Sequence, residues 1–182
     1  MYFKVKDIVF IAIIAVVMMV VSFLTMPLVT ALFAVMPGIG VLVVAPFYGL
    51  LIALLLSKVQ KVGATTFVSL ILGLPLIFIS PAMTMLTIGS GLFADLGALL
   101  WKGVFKSQRK IIILSGIYIF SMFYLGLFAG IIFSVIGFSP EHLAQNIPLV
   151  IAGSLLAFGM AAAGGFVGTK LSSEFQQAGV IS

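Results

Sequence analysis

Asp95 is the only charged side chain inside a long apolar run of this sequence, between Thr84 and Trp101. A carboxylate at that depth costs about 2.5 to 3.5 kcal/mol on insertion scales, so it demands either a partner or a task. Counting back from Lys102 puts it about two helical turns from the basic end of its run. There it is expected to pair with Lys58, Lys61 or Lys102 in a structural or coupling role; a lone carboxylate makes a poor proton relay. Gly89-Ser90-Gly91 has the outline of a hydrolase elbow, yet Ser90 as a nucleophile needs a general base, and the single histidine, His142, falls in a distant connection. The chain has no cysteine, no second histidine, no paired intramembrane carboxylates and no phosphate-cradling glycine loop. Thiol catalysis, a histidine metal site and nucleotide hydrolysis by this chain are therefore not expected.

What remains is binding chemistry. Tyr48, Ser80, Met83, Thr84, Thr87, Ser90, Phe123, Tyr124, Asn146 and Ser154 all fall towards the ends of apolar runs that carry no lysine or arginine, with His142 and the 27–40 segment above them. A few hydroxyl and amide groups among aromatics and methionines are what orient a small ligand in an otherwise apolar chamber. The same end offers no intramembrane cation, which favours a small uncharged or weakly charged ligand.

The elements that must position these residues follow from the solvent. In 182 residues 63% are hydrophobic and only 7% charged, with mean hydropathy +1.40. Water-soluble domains carry about 25% charged residues, so a soluble globule is excluded. Long unbroken apolar runs without alternation exclude barrel strands, which leaves an all-α integral membrane protein. Runs of about 20 residues span a hydrocarbon layer of about 30 Å. Spans are expected at about 8–25, 41–57, 62–80, 84–101, 111–136 and 148–171, a six-helix bundle in one membrane domain covering 1–182. The first, preceded by Lys4 and Lys6, is too long for a signal sequence and lacks a cleavage site. A break at Pro37, Gly38 and Pro46 would instead give seven crossings.

Charge decides between six and seven. The nine basic residues fall in Lys4/Lys6, Lys58/Lys61, Lys102/Lys106/Arg109/Lys110 and Lys170. If each cluster is cytoplasmic, an even number of crossings separates neighbours, which six satisfies and seven breaks. Both termini then face the cytoplasm, Pro27 to about Gly40 forms an outer loop over the site, and the net charge of +5 reflects topology rather than nucleic-acid binding. On the outer side Ser80-Pro81 marks a tight turn, and Ser139-Pro-Glu141 starts a short interfacial helix. Small residues in the last span, among them Ala161-x-x-x-Gly165 and Gly164-x-x-x-Gly168, are expected to seat a neighbouring helix of the same chain, with a partner protein as the sharper alternative.

Several segments carry a family texture. Lys4-Val-Lys-Asp7 opens the first helix, Pro37-Gly-Ile-Gly40 enters the second, Ala45-Pro-Phe-Tyr-Gly49 leads to Ser57-Lys-Val-Gln-Lys-Val-Gly63, and Gly164-Gly-Phe-Val-Gly-Thr-Lys-Leu171 closes the chain. This layout resembles the substrate-binding S component of an energy-coupling factor (ECF) transporter across essentially the whole chain, most nearly those of the hydroxymethylpyrimidine or pyridoxine type. The resemblance implies six helices and a vitamin site in the outer half under the first loop, in a multi-pass protein of a prokaryotic plasma membrane. It further implies a transmembrane T component and two ATPase subunits, which bind the ATP and Mg that this chain does not. Members of the family dock through Ala-x-x-x-Ala on the first helix; here that spacing is absent in strict form, and Ala12 and Ala15 stand in for it. The alternative from the residues alone is a stand-alone secondary transporter or channel coupled through Asp95.

Overall fold

A computed structural model describes residues 3–33, 39–101, 103–133 and 140–177, with the backbone alone at 30–33, 39, 140, 142 and 176. Among these residues seven α-helices follow one another: α1 (Val5–Phe33), α2 (Ile39–Val59), α3 (Ala64–Gly73), α4 (Pro81–Leu100), α5 (Gln108–Ile132), α6 (Pro140–Gln145) and α7 (Ile147–Gln177). Single 3-10 turns at Pro75–Phe78 and Val104–Lys106 join α3 to α4 and α4 to α5. Among the described residues five helices are long and apolar enough to cross a membrane, and Ala64–Phe78 is a shorter apolar stretch. The chain is a multi-pass membrane protein.

Two expectations are corrected here. The first helix does not stop before Pro27 but runs through it to Phe33, so residues 27–33 are helix rather than outer loop; residues 34–38 lie outside the described residues. The physical reason is the solvent. An internal proline forfeits one backbone hydrogen bond, whereas ending the helix in an apolar layer would strand up to about four carbonyls. For the same reason Pro46 sits inside an unbroken α2, as a six-span reading requires. The third expected span, 62–80, is a ten-residue helix extended by a 3-10 turn, shorter than a full crossing.

The boundary chemistry expected at Ser80-Pro81 is found. Ser80 caps α4 with its Oγ accepting from the Met83 N–H at 3.4 Å, and Pro81 takes the first helical position. The short helix α6 begins at Pro140; Ser139 lies outside the described residues. At the other end, the α2–α3 turn uses Gly63 at φ 96°, a left-handed conformation that glycine adopts without a Cβ clash.

The most buried of the five long helices, α2, packs chiefly on α7 and also on α1 and α5. The small residues of α7 explain how. A Cβ built on Gly164 would collide with the Pro46 carbonyl, one on Gly168 with the Leu50 carbonyl, and one on Gly49 of α2 with the Ala161 carbonyl. Backbone therefore meets backbone, which recovers dispersion energy that a membrane supplies in no other way. That stripe serves intramolecular packing.

The α3–α4 hairpin is held along its length. Gly73 lies against Thr87 and Ile88, the Thr65 hydroxyl donates to the Gly91 carbonyl at 3.1 Å, and Asp95 reaches the first turn of α3. Inside, Tyr118 of α5 meets Ser69 of α3 at 3.0 Å and Ser90 of α4, so three helices share one buried hydroxyl cluster.

Candidate functional site

A cavity of about 300 Å³ lies between α1, α2, α4, α5 and the α3–α4 connection. From α1 it takes Met19, Ser22, Thr25, Met26 and Val29; from α2 Gly40, Val41, Val44 and Tyr48. Leu72, Leu76 and Ile79 close one side and Ser80, Ala82, Met83, Leu86 and Thr87 another, while α5 adds Met122, Gly126 and Gly130. Every one of these positions belongs to the end of its helix that carries no lysine or arginine. At the opposite end Lys61 binds Asp7 at 2.7 Å, Phe3 packs on Phe67 with centroids 5.0 Å apart, and Lys110 lies over the Trp101 ring.

The site's polar focus is a trio between α1 and α2. Ser22 Oγ donates to the Met18 carbonyl at 2.9 Å and is hydrogen-bonded to the Tyr48 hydroxyl, which itself stands 3.4 Å from the same carbonyl. Tyr48 is 2% exposed, so its ring is held by packing and its oxygen by the trio. Thr25 donates to the Val21 carbonyl at 2.8 Å and Thr87 to the Met83 carbonyl at 2.7 Å. Local back-bonding of this kind is the default for hydroxyls in membrane helices. Four methionines, Met19, Met26, Met83 and Met122, give the rest of the wall a deformable apolar surface.

Of the residues singled out in the sequence, Tyr48, Ser80, Met83 and Thr87 come together on this cavity. Thr84 stands behind it, donating towards the Gly73 and Ser80 carbonyls at 3.3 Å. Ser90 is fully buried, with its Oγ donating to the Thr87 carbonyl at 2.7 Å, and Phe123 is fully buried in the core. Neither lines the cavity. Tyr124 and Ser154 face each other across α5 and α7 at 3.2 Å instead. Tyr124 lines a shallower groove of about 380 Å³, more open to the surroundings, with Leu143, Ile147 and Ile151. Asn146 is exposed, and the side chain of His142 lies outside the described residues.

Ser22 and Thr25 had no place in the sequence reading, although their three-residue spacing puts both hydroxyls on one helical face and was there to be seen. Met122, Gly126 and Gly130 form a similar four-residue stripe on α5. Of the two docking alanines, Ala15 is 1% exposed and packed within the bundle, whereas Ala12 is half-buried.

Asp95 is placed at the other end, and its partner is not the lysine expected. Its Oδ2 accepts from both the backbone N–H and the hydroxyl of Thr66, each at 2.6 Å, while Lys61 is engaged by Asp7 and Lys102 lies outside the described residues. Because Gly63 supplies no side-chain cap, this carboxylate caps α3 from a neighbouring helix and complements its positive end. Asp95→Leu is expected to lower stability by about 1 to 3 kcal/mol, since it strands the Thr66 donors, while Asp95→Asn keeps an acceptor and most of the stability. Thermal unfolding of the detergent-solubilised variants reads the difference.

No family model matches the sequence, and no curated protein matches it. One solved structure aligns over 98% of this chain and 88% of its own, with TM-score 0.65 and 20% identity, and is described as an S-component of an ECF transporter. The chain has the S-component fold. That likeness extends through the whole bundle, so the helices around the cavity are the fold's own framework rather than an appended feature. At this identity it speaks for architecture, not for the ligand.

Proposed function

We propose that this chain is the substrate-binding subunit of an ECF-type importer, holding a small vitamin or vitamin precursor at the outer end of the bundle. The observation that carries the reading is the ligand-sized, half-open cavity lined from five elements at the end opposite the basic clusters. In this reading the chain crosses six times, with Ala64–Phe78 as the short third passage and both termini in the cytoplasm. Only an even number of passages between Lys61 and Lys106 keeps both on one side. Pyridoxine and hydroxymethylpyrimidine are the first ligands to try.

Energy then comes from elsewhere. A transmembrane T component would dock on the bundle, with the exposed side of α1 around Ala12 as the proposed contact, and two ATPase subunits would bind ATP and Mg. In this reading Asp95 is structural rather than part of the site: its Oδ2 is held by Thr66, and it lies about two turns along α4 from Thr87 on the cavity wall.

Purified chain reconstituted in vesicles is expected to bind its ligand without ATP and to accumulate none of it; accumulation begins when the T component and ATPases are added with ATP. Flux through the chain alone, driven by a pH gradient and lost in Asp95→Asn, would replace this reading with that of a stand-alone carrier.

A further inference from the structure

We infer that the hollow opens sideways into the bilayer and that, without cargo, an acyl chain of a neighbouring lipid lies in it. This goes beyond the reading of the chain as a binding subunit and does not depend on it.

The opening follows from the length of α3. Towards the basic end α1 is flanked by α3, where Phe3 packs on Phe67 and Asp7 holds Lys61 of the α2–α3 turn. Ten residues carry α3 about 15 Å, half of a hydrocarbon layer of about 30 Å. Beyond Gly73 only the 3-10 turn Pro75–Phe78 continues that side. Among the described residues α1 packs on α2 and α3 but scarcely on α4 or α5. The outer half of α1 therefore stands apart from the start of α4, with the hollow between them.

The pattern of exposure locates the mouth. On the back wall Val44 and Tyr48 of α2 and Met122 and Gly130 of α5 are buried. The exposed lining residues are Phe23 and Met26 of α1 and, from the α3–α4 side, Ile79 and Met83. Each borders the hollow and the surroundings at once, so the mouth is a slot between α1 and the α3–α4 connection.

Outside that slot lies lipid. Its rim continues into Leu24 and Leu28 on α1 and into Leu74, Ile77 and Phe78 on the connection, all exposed, Phe78 at 93%. No charged residue falls between 8 and 57 or between 62 and 94, so the rim belongs to the apolar, lipid-facing surface of the bundle. An apolar hollow open to hydrocarbon fills, because its lining otherwise forfeits dispersion contacts that an entering chain restores. Water needs about two to four polar partners, and the apolar side chains that make most of the wall supply none. The lining stretch of α1, from Met19 to Val29, runs about 15 Å along a spanning helix, so a chain fits lengthwise. Cargo then binds by exchange for lipid.

Tryptophan fluorescence tests this. Trp101→Phe removes the single tryptophan, and one reporter is placed at each of three neighbouring positions of α5: Met122→Trp on the hollow, Phe123→Trp in the core and Phe120→Trp on the exposed surface. Chain washed free of bound compounds, as mass spectrometry verifies, is reconstituted in phosphatidylcholine with or without bromine at the middle of its acyl chains. Brominated lipid is expected to quench Met122→Trp nearly as strongly as Phe120→Trp and several-fold more than Phe123→Trp, while aqueous iodide quenches it little. Val44→Trp, on the α2 wall, gives the same reading if Met122→Trp folds poorly. Quenching of the wall reporters no greater than at Phe123→Trp, or stronger by iodide than by brominated lipid, overturns the inference. Either result leaves the binding-subunit reading in place, which accumulation in vesicles decides separately.

Discussion

Gly164→Leu is expected to be the most damaging single change in the transmembrane core. The α2–α7 contact is backbone on backbone, and any Cβ at this position falls onto the Pro46 carbonyl, an atom fixed within α2 and unable to rotate away. Either the helices separate along their whole length or α7 slides, and with it go the neighbouring close approaches at Gly49 and Gly168. Overpacking of this kind costs on the order of 3 kcal/mol or more. Gly159→Leu on the same helix is the matched control, because a Cβ there meets nothing within 4 Å. It is expected to leave stability unchanged or raise it by up to about 1 kcal/mol. Thermal unfolding of the two variants in one detergent should therefore differ widely; similar curves would mean that α7 does not sit on α2 in this way.

The second large effect concerns the cavity itself. Gly126 lies on its wall, and a Cβ there comes no nearer than 4.0 Å to the Leu86 side chain. Gly126→Phe therefore grows into empty space rather than into the core, and removing a helix-interior glycine favours the helix by up to about 1 kcal/mol. Folding should survive while ligand affinity falls by about 100-fold or more, because the phenyl ring takes the ligand's place. Equilibrium binding beside an unfolding curve separates the two consequences. Gly126→Ala, which adds one methyl at ordinary contact distance, should bind nearly as well as the parent.

How much of this was legible in the residues differs by kind. Helix ends are written in local chemistry, so the Ser80-Pro81 cap and the Pro140 start could be read directly. The small-residue face of α7 was legible for the same reason, since only close backbone approach rewards so many glycines. Helix rotation was not. In α5 the neighbours Met122, Phe123 and Tyr124 point in three directions, into the cavity, into the core and towards α7, because successive residues turn by about 100°. A helix apolar all round has no polar face to mark which direction is which. So Phe123 and Tyr124 were placed at the right height and on the wrong side, while Ser22 and Thr25 on the equally uniform α1 were passed over. The extension of α1 through Pro27 was not legible because the charge count fixes only the side on which the 27–40 segment lies, whereas in lipid carrying the helix through a proline costs less than ending it.

The partner of Asp95 illustrates a different limit. Charge alone pointed to a lysine, and only the packing of α3 along α4 places the uncapped helix start beneath that carboxylate.

The half-open hollow at the lysine-free end is expected to hold a small molecule as the protein's cargo. Mass spectrometry of compounds released from the purified parent chain and from Gly126→Phe, both prepared from the same cells, tests it most directly. One compound near equimolar with the parent and missing from the folded variant is the predicted result. The same compound in equal amount on both would place the cargo elsewhere and contradict the account.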